Sequence, residues 1–387
     1  MSTRSPGRHV MIIAGEASGD MHGARLVRAM QELDPHLAFS GMGGRELAAA
    51  GVELLYDASR LAVVGVTEVL GHLGDILAAR RLLLARMRSR RPCLLILIDY
   101  PDFNLLLAAK ARKLDIPVFY YISPQVWAWR SGRVKKIGRL TDRVGVILPF
   151  EQEFYARRGV KVDFVGHPLM DAVRTSMSRD QFLARHQIPP HAKVIGLLPG
   201  SRRREISSLL PDFLAAADRL ARARGDECVF LIPRASTVSR RLLEEHGLGR
   251  YERRICCRVV DEDRYDLMAA CDAVVAASGT VTLELAILGT PAVVTYRVSP
   301  RTYFLGRLLI RNIEFFSLVN LVADRQVVPE LLQHEVTPEN IAAELEKIAW
   351  DVHVHARIRE GLAEVTARLG GRGASRRAAR IALETAT

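Results

Sequence analysis

The segment LILIDYPDFN, residues 95–104, carries an apolar run into the carboxylate of Asp99. A carboxylate at the C-terminal end of a buried strand sits where open α/β sheets gather ligands. There it suits general base work on a hydroxyl. Pro101 stops the strand, and Asp102 is placed to cap the helix that comes next. A second acidic turn, AGEASGD at residues 14–20, succeeds the apolar run of residues 10–13. Gly15 and Gly19 predict a tight turn into a helix. In a nucleotide-binding first turn such a loop offers backbone N–H groups to a diphosphate. Here the loop carries Glu16 and Asp20, which would repel one. The first half of the chain is therefore expected to hold what reacts with a diphosphate, with Glu16 and Asp20 either meeting hydroxyl groups or capping a helix.

Phosphate chemistry is expected in the second half. LPGSRRREI, residues 198–206, pairs a Pro199-Gly200 turn with Ser201 as a helix cap and with Arg202, Arg203 and Arg204 in the first turn. Three cations at a helix N-terminus oppose its dipole, and a bound anion would relieve that cost. ASGTVTLELAILGTP, residues 277–291, opens a helix on Ser278, Gly279 and Thr280, whose small side chains leave first-turn N–H groups free. Glu284 falls one turn later, where a carboxylate suits a ribose diol. Together the two loops predict one nucleotide diphosphate held by two helix N-termini and an arginine.

These loops need strands to position them. Apolar runs at 10–15, 37–41, 94–99, 117–122, 143–148 and 162–165 alternate with amphipathic stretches, the pattern of a parallel α/β sheet. Gly166-His167-Pro168 and then Pro189-Pro190 bracket a polar junction. A second series runs at 193–198, 228–232, 255–260, 273–277 and 292–296. From about Pro338 the chain reads as helix, broken near Gly370-Gly371. Two doubly wound domains in tandem are expected.

At 387 residues the chain has room for two domains, and 49% hydrophobic against 25% charged residues supports a sizeable core. A net charge of +12 suggests an anionic partner. Aromatics at 6% and the lack of a basic, aromatic-interleaved motif argue against nucleic acid. Five cysteines form no CxxC pair, and three lie in apolar strand-like runs, so buried thiols in a reducing compartment are the plain reading. No apolar run reaches about 18 residues, the length of a membrane span, and MSTRSPGRHV does not read as a signal peptide. Between residues 61 and 91, Val66, Val69, Leu70, Leu73, Ile76 and Leu77 recur at helical spacing ahead of an arginine cluster. Periodicity alone admits a core-facing helix or one lying on anionic lipid.

The motifs AGEASGD, GVTEVLGHL (65–73), IDYPDFN (98–104), SPQVWAWR (123–130), GHPLMD (166–171), LLPGSRRREI (197–206), SGTVTLELAILGTP (278–291) and NLVADRQVVPELLQ (320–333) resemble, in order, those of the lipid-A-disaccharide synthases. The resemblance covers nearly the whole chain. It implies a GT-B fold, two Rossmann-like doubly wound domains facing a central cleft. Residues 1–168 would bind acceptor and 169–337 the UDP-sugar, with the 338–387 helices packing back across both. It implies inverting transfer from UDP-2,3-diacylglucosamine to 2,3-diacylglucosamine 1-phosphate, giving a β-1,6-linked disaccharide and UDP. Asp99 would be the base. Gly200, Ser201, Arg202, Ser278, Gly279, Thr280, Glu284, Asn320 and Gln333 would hold the nucleotide sugar. Glu16, Ser18, Asp20 and Asn104 would lie on the acceptor side. Acylated substrates turn the apolar stripe, extended to Val64, into an expected contact with acyl chains and anionic inner-membrane lipid. Trp127 and Trp129 suit either that interface or core packing. The expected enzyme uses no metal or other cofactor and no nucleic acid. It is cytoplasmic and peripheral on the inner membrane, with homodimerisation left open. Two departures stand out: Val319 replaces a common proline and Val64 a usual methionine. The rival readings are an undecaprenyl-linked N-acetylglucosaminyltransferase, a UDP-N-acetylglucosamine 2-epimerase, a UDP-sugar sensor or a basic nucleic-acid binder.

Overall fold

The computed structural model describes residues 8–60, 73–127, 131–235, 237–298 and 314–387. The chain divides into two compact units, Met1–Met170 with Gly370–Thr387, and Asp171–Leu369. The helices Pro338–Trp350 and Val352–Arg368 thus belong to the second unit, and the helix Ala374–Thr385 to the first.

The first unit is a seven-stranded parallel sheet. Its strands are β1 (His9–Ala14), β2 (Ala38–Gly43), β3 (Glu53–Asp57), β4 (Leu94–Ile98), β5 (Val118–Tyr121), β6 (Arg143–Val146) and β7 (Asp163–Phe164). Their order is β3-β2-β1-β4-β5-β6-β7. Both faces are covered, so β1 and β4 are apolar at nearly every position rather than alternating. Met11, Ile13, Leu95 and Leu97 pack on one side, and Val10, Ile12, Leu94 and Ile96 on the other. Four helices matter for the site: α1 (Ala17–Leu33), α2 (Arg45–Ala49), α3 (Leu73–Ser89) and α4 (Pro101–Arg112). The second unit is a six-stranded parallel sheet of β8 (Lys193–Leu198), β9 (Cys228–Pro233), β10 (Cys257–Val260), β11 (Ala273–Ala277), β12 (Ala292–Tyr296) and β13 (Glu330–Leu332). The order is β10-β9-β8-β11-β12-β13.

Each sheet has one point where the winding reverses, between β1 and β4 and between β8 and β11. Ala14 pairs with Ile98 there, and Leu198 with Ala276. Open α/β sheets bind ligands just beyond such points. The four chemistry-bearing loops of the sequence leave these four strand ends.

Strands β3 and β13 were not expected from the sequence. Both are edge strands; β3 begins and ends on acids and β13 has three residues, so neither shows an apolar run. The stripe expected along residues 64–77 is only partly described. Val64, Val66, Val69 and Leu70 lie outside the described residues, as does the side chain of Leu73. Within α3 the inward line is Ala79, Leu83 and Met87, spaced four apart. Ile76 is half-buried and packs against that same core, whereas Leu77 and Leu82 are 43% and 49% exposed. Among the described residues no helix is long and apolar enough to cross a membrane.

Candidate active site

In the first unit the site is built around a strained turn. Asp99 and Tyr100 have φ of 42° and 45°, both left-handed. Two consecutive non-glycine residues there cost about 1–3 kcal/mol each and persist only where neighbours hold them. The holding bonds are present. The Asp99 carbonyl accepts from the Tyr120 hydroxyl at 2.5 Å and from Asn104 Nδ2 at 2.7 Å. Asn104 Nδ2 also donates to the Ile98 carbonyl, and the Asp99 amide donates to the Ile122 carbonyl. The Tyr100 ring lies over Gly15, where a Cβ would fall 2.4 Å from Cγ of the ring. Glycine at 15 is thus required by Tyr100, and the ring ties the two turns together.

This geometry fixes the Asp99 backbone, and the Tyr100 amide donates to its carboxylate. Its pKa is pushed up to about 6, first by burial and then by the Glu16 charge, opposed by a backbone hydrogen bond. Glu16 occupies the position before α1 but makes no capping bond, and it is exposed. Ser18 is exposed beside it.

Asp20 faces elsewhere. Its buried carboxylate accepts from the amides of Gly44, Glu46 and Leu47 at 2.7, 2.9 and 3.1 Å, capping α2. Asn104 is likewise committed to backbone and is fully buried. Both support the turns beyond β1 and β4 rather than lie open to solvent. Asp102 is not the cap of α4, since Tyr100 holds that position; its carboxylate pairs with Arg133. Trp127 packs edge-on against Phe150 with ring centroids 5.1 Å apart, and Trp129 lies outside the described residues. Sequence reasoning passed over Tyr100 and Tyr120; the signal was an aromatic directly after the strand-end acid.

In the second unit Gly200 has φ of 103°, which only glycine adopts readily. The helix Arg203–Arg224 takes Arg202, not Ser201, as its preceding cap residue. The anion at its N-terminus is internal: Glu205 accepts from the Ser201 and Arg202 amides and from the Arg202 guanidinium. The dipole cost of three arginines is thus relieved by a side chain four residues from Ser201. The helix Val281–Leu288 begins differently. Gly279 and Thr280 are exposed, and a Cβ on Gly279 would meet nothing within 4 Å. Ser278 is turned inward to the chain, its hydroxyl donating to the Phe316 carbonyl.

Glu284 is buried and bound by Arg264 and Tyr265, neither singled out from the sequence. Burial raises its pKa and the Arg264 charge opposes the shift. The assignment of Asn320 to the nucleotide sugar needs correcting. Its side chain is fully buried and saturated: Nδ2 donates to the Val328 carbonyl and Glu330, and Oδ1 accepts from Val327 and Val328. Val319 is buried in the first turn of the helix Leu318–Ala323. Gln333 Oε1 accepts from the Val298 amide. Among the described residues no group of three or more His, Cys, Asp or Glu side chains is placed to hold a metal ion.

Residues 10–383 match the lipid-A-disaccharide synthetase family. The lipid-A-disaccharide synthase of Geobacter sulfurreducens is 49% identical over 387 residues, covering 99% of this chain and 98% of that one. That of Nitrosococcus oceani is 45% identical over 374 residues, covering 96% and 95%. Among solved structures, the glycotransferase of kitacinnamycin aligns with a TM-score of 0.65 at 15% identity, covering 99% of this chain and 100% of that one. The UDP-GlcNAc 2-epimerase of Neisseria meningitidis bound to UDP-GlcNAc aligns at 0.63 and 14% identity, covering 97% and 99%. At such identities these two establish likeness of fold alone.

Proposed function

The chain belongs to the lipid-A-disaccharide synthase family and is a GT-B glycosyltransferase of lipid A disaccharide synthesis; from that premise we propose that it joins UDP-2,3-diacylglucosamine to 2,3-diacylglucosamine 1-phosphate with inversion, Asp99 acting as the base. The observation that carries this reading is the Asp99 carboxyl, held at the first unit's winding reversal with its pKa at about 6. Such a carboxylate is ionised at neutral pH yet more basic than an ordinary one, which favours taking a proton from a sugar hydroxyl as the glycosidic bond forms. Burial, and after it the Glu16 charge, keep it basic, and Ser18 is open beside it for the acceptor.

The leaving UDP gains negative charge in an oxocarbenium-like transition state. In this reading Arg202 and the open N-terminus at Gly279 and Thr280 meet that charge. Glu284 takes the ribose hydroxyls, its carboxylate oriented by Arg264. No resident cofactor is invoked. The enzyme would work at the cytoplasmic face of the inner membrane, with the apolar 64–73 segment and the exposed Leu77 and Leu82 meeting lipid or acyl chains. Turnover of the two diacylated substrates to disaccharide and UDP is the direct test. A protein that bound UDP-sugar but released no UDP with the acylated acceptor would sink the reading.

Arg202→Ala should weaken UDP binding by about tenfold, since hydrogen bonds to charged groups are worth roughly 1.5–3 kcal/mol. Glu284→Gln should reduce discrimination between UDP and its 2′-deoxy analogue. Calorimetry that finds both unchanged, with turnover also intact, places the nucleotide elsewhere. Changing Val66, Val69, Leu70 and Leu73 to serine should move the enzyme from anionic vesicles into solution, because each aliphatic buried in lipid is worth about 1.5–3 kcal/mol. A large fall in melting temperature with vesicle sedimentation unaltered would instead identify the segment as core.

A further inference from the structure

We propose that Glu205 is a built-in competitor of the donor diphosphate, occupying the donors at the Gly200–Arg202 turn until the nucleotide displaces it. The inference rests on the reading of this turn as part of the donor site. One carboxylate oxygen, Oε2, takes both the Ser201 amide at 3.1 Å and the Arg202 amide at 3.2 Å. The other takes the Arg202 guanidinium at 3.0 Å. A guanidinium–carboxylate bond usually closes to about 2.7–2.9 Å, so the Arg202 bond is on the long side, and the two amides share a single oxygen. The Arg202 side chain is 80% exposed, and an ion pair so open to water is weak.

The turn is nevertheless shaped around that carboxylate. A Cβ on Gly200 would fall 2.2 Å from Glu205 Oε2, and the φ of 103° suits glycine alone. Glycine at 200 therefore leaves room for Glu205, and by the same token for an anion of similar radius. Arg203 is drawn off to Glu245, which leaves Arg202 as the guanidinium turned to Glu205. A phosphate brings more charge and more acceptor oxygens to the same amides and guanidinium than a carboxylate does. The two anions cannot share them, because they would repel at contact distance. Nucleotide binding must then include expulsion of Glu205, and its return assists release of UDP.

A competitor and a plain helix cap give opposite results when the charge is removed. Glutamine still accepts from the amides and is itself a good residue at this capping position. Glu205→Gln should therefore keep the fold, checked by thermal melting, while tightening UDP by about 3- to 30-fold in calorimetry and slowing its dissociation in stopped-flow. Glu205→Ala should tighten UDP in the same direction even if its melting temperature falls. Unchanged or weaker UDP binding in a folded Glu205→Gln protein, with Arg202→Ala still weakening it, overturns the competitor role and makes Glu205 part of the scaffold. If Arg202→Ala also leaves UDP affinity unaltered, the donor reading of this turn fails along with it.

Discussion

Replacing Asp99 by asparagine is expected to lower kcat by about 10²–10⁴-fold, the usual contribution of a positioned base, while UDP affinity stays at the wild-type value. The variant should fold normally. The Tyr120 and Asn104 bonds that hold the strained turn reach the Asp99 carbonyl, and the asparagine Oδ1 can still accept the Tyr100 amide that the carboxylate accepts. Linkage gives the same answer. The Asp99 pKa is raised from 3.8 to about 6 in the folded protein, so between those values the folded state binds more protons than the unfolded one. Stability contributed by this site therefore falls as pH rises through that window, and a neutral asparagine removes the penalty. The activity of the wild type should run the other way, rising with pH through about 6 as the base ionises. Glu16→Gln provides an independent check. Removing a like charge lowers the pKa of Asp99, so the acidic limb should shift to lower pH, with burial still holding it above an ordinary carboxylate. Near-wild-type turnover in Asp99→Asn, or an acidic limb that survives in it, would remove Asp99 from the chemistry.

The four loops were legible because strand ends are legible. Val10–Ala14 and Leu94–Ile98 are apolar at every position, and such runs stand out when a sheet is covered on both faces. The turn beyond each strand end is short, so Glu16, Asp99, Gly200 and Gly279 could be placed by counting a few residues from the end of an apolar run. The direction in which a side chain faces was not legible. Asp20 lies one turn beyond Glu16 in the same acidic motif, yet it caps α2, whose amides arrive from residues 44–47. Glu205 looked like one more helix residue, although its carboxylate supplies the anion that the arginines beside it seemed to require from outside. Arg264 and Tyr265 reach Glu284 across about 20 positions of sequence, a pairing that no local pattern announces. Edge strands β3 and β13 escaped for the opposite reason, since their burial is partial and their residues are mixed.

Asn320 shows most sharply how a motif residue can serve structure, and Asn320→Ala is expected to destabilise the second unit by about 3–5 kcal/mol. The side chain makes four hydrogen bonds at full burial. Alanine would leave the amides of Val327 and Val328 and the carbonyl of Val328 each short of a partner, while Glu330 Oε1 would keep the Ser317 amide. Burying unsatisfied polar groups costs about 1–3 kcal/mol apiece, with partial relaxation bringing the sum into the stated range. For a unit of this size that corresponds to a fall of roughly 8–15 °C in melting temperature. The damage should spread towards the Ser278–Thr280 turn by a traceable route. Glu330 also accepts from the Phe316 and Ser317 amides, and the Phe316 carbonyl accepts from Ser278. Loosening Glu330 therefore loosens the strut behind Ser278. At a temperature where the variant remains folded, UDP affinity should drop by no more than a few-fold, whereas removal of Arg202, the proposed ligand, should cost about tenfold with the melting temperature preserved. An Asn320→Ala protein that melts like the wild type and binds UDP poorly would reverse this assignment and return Asn320 to the nucleotide.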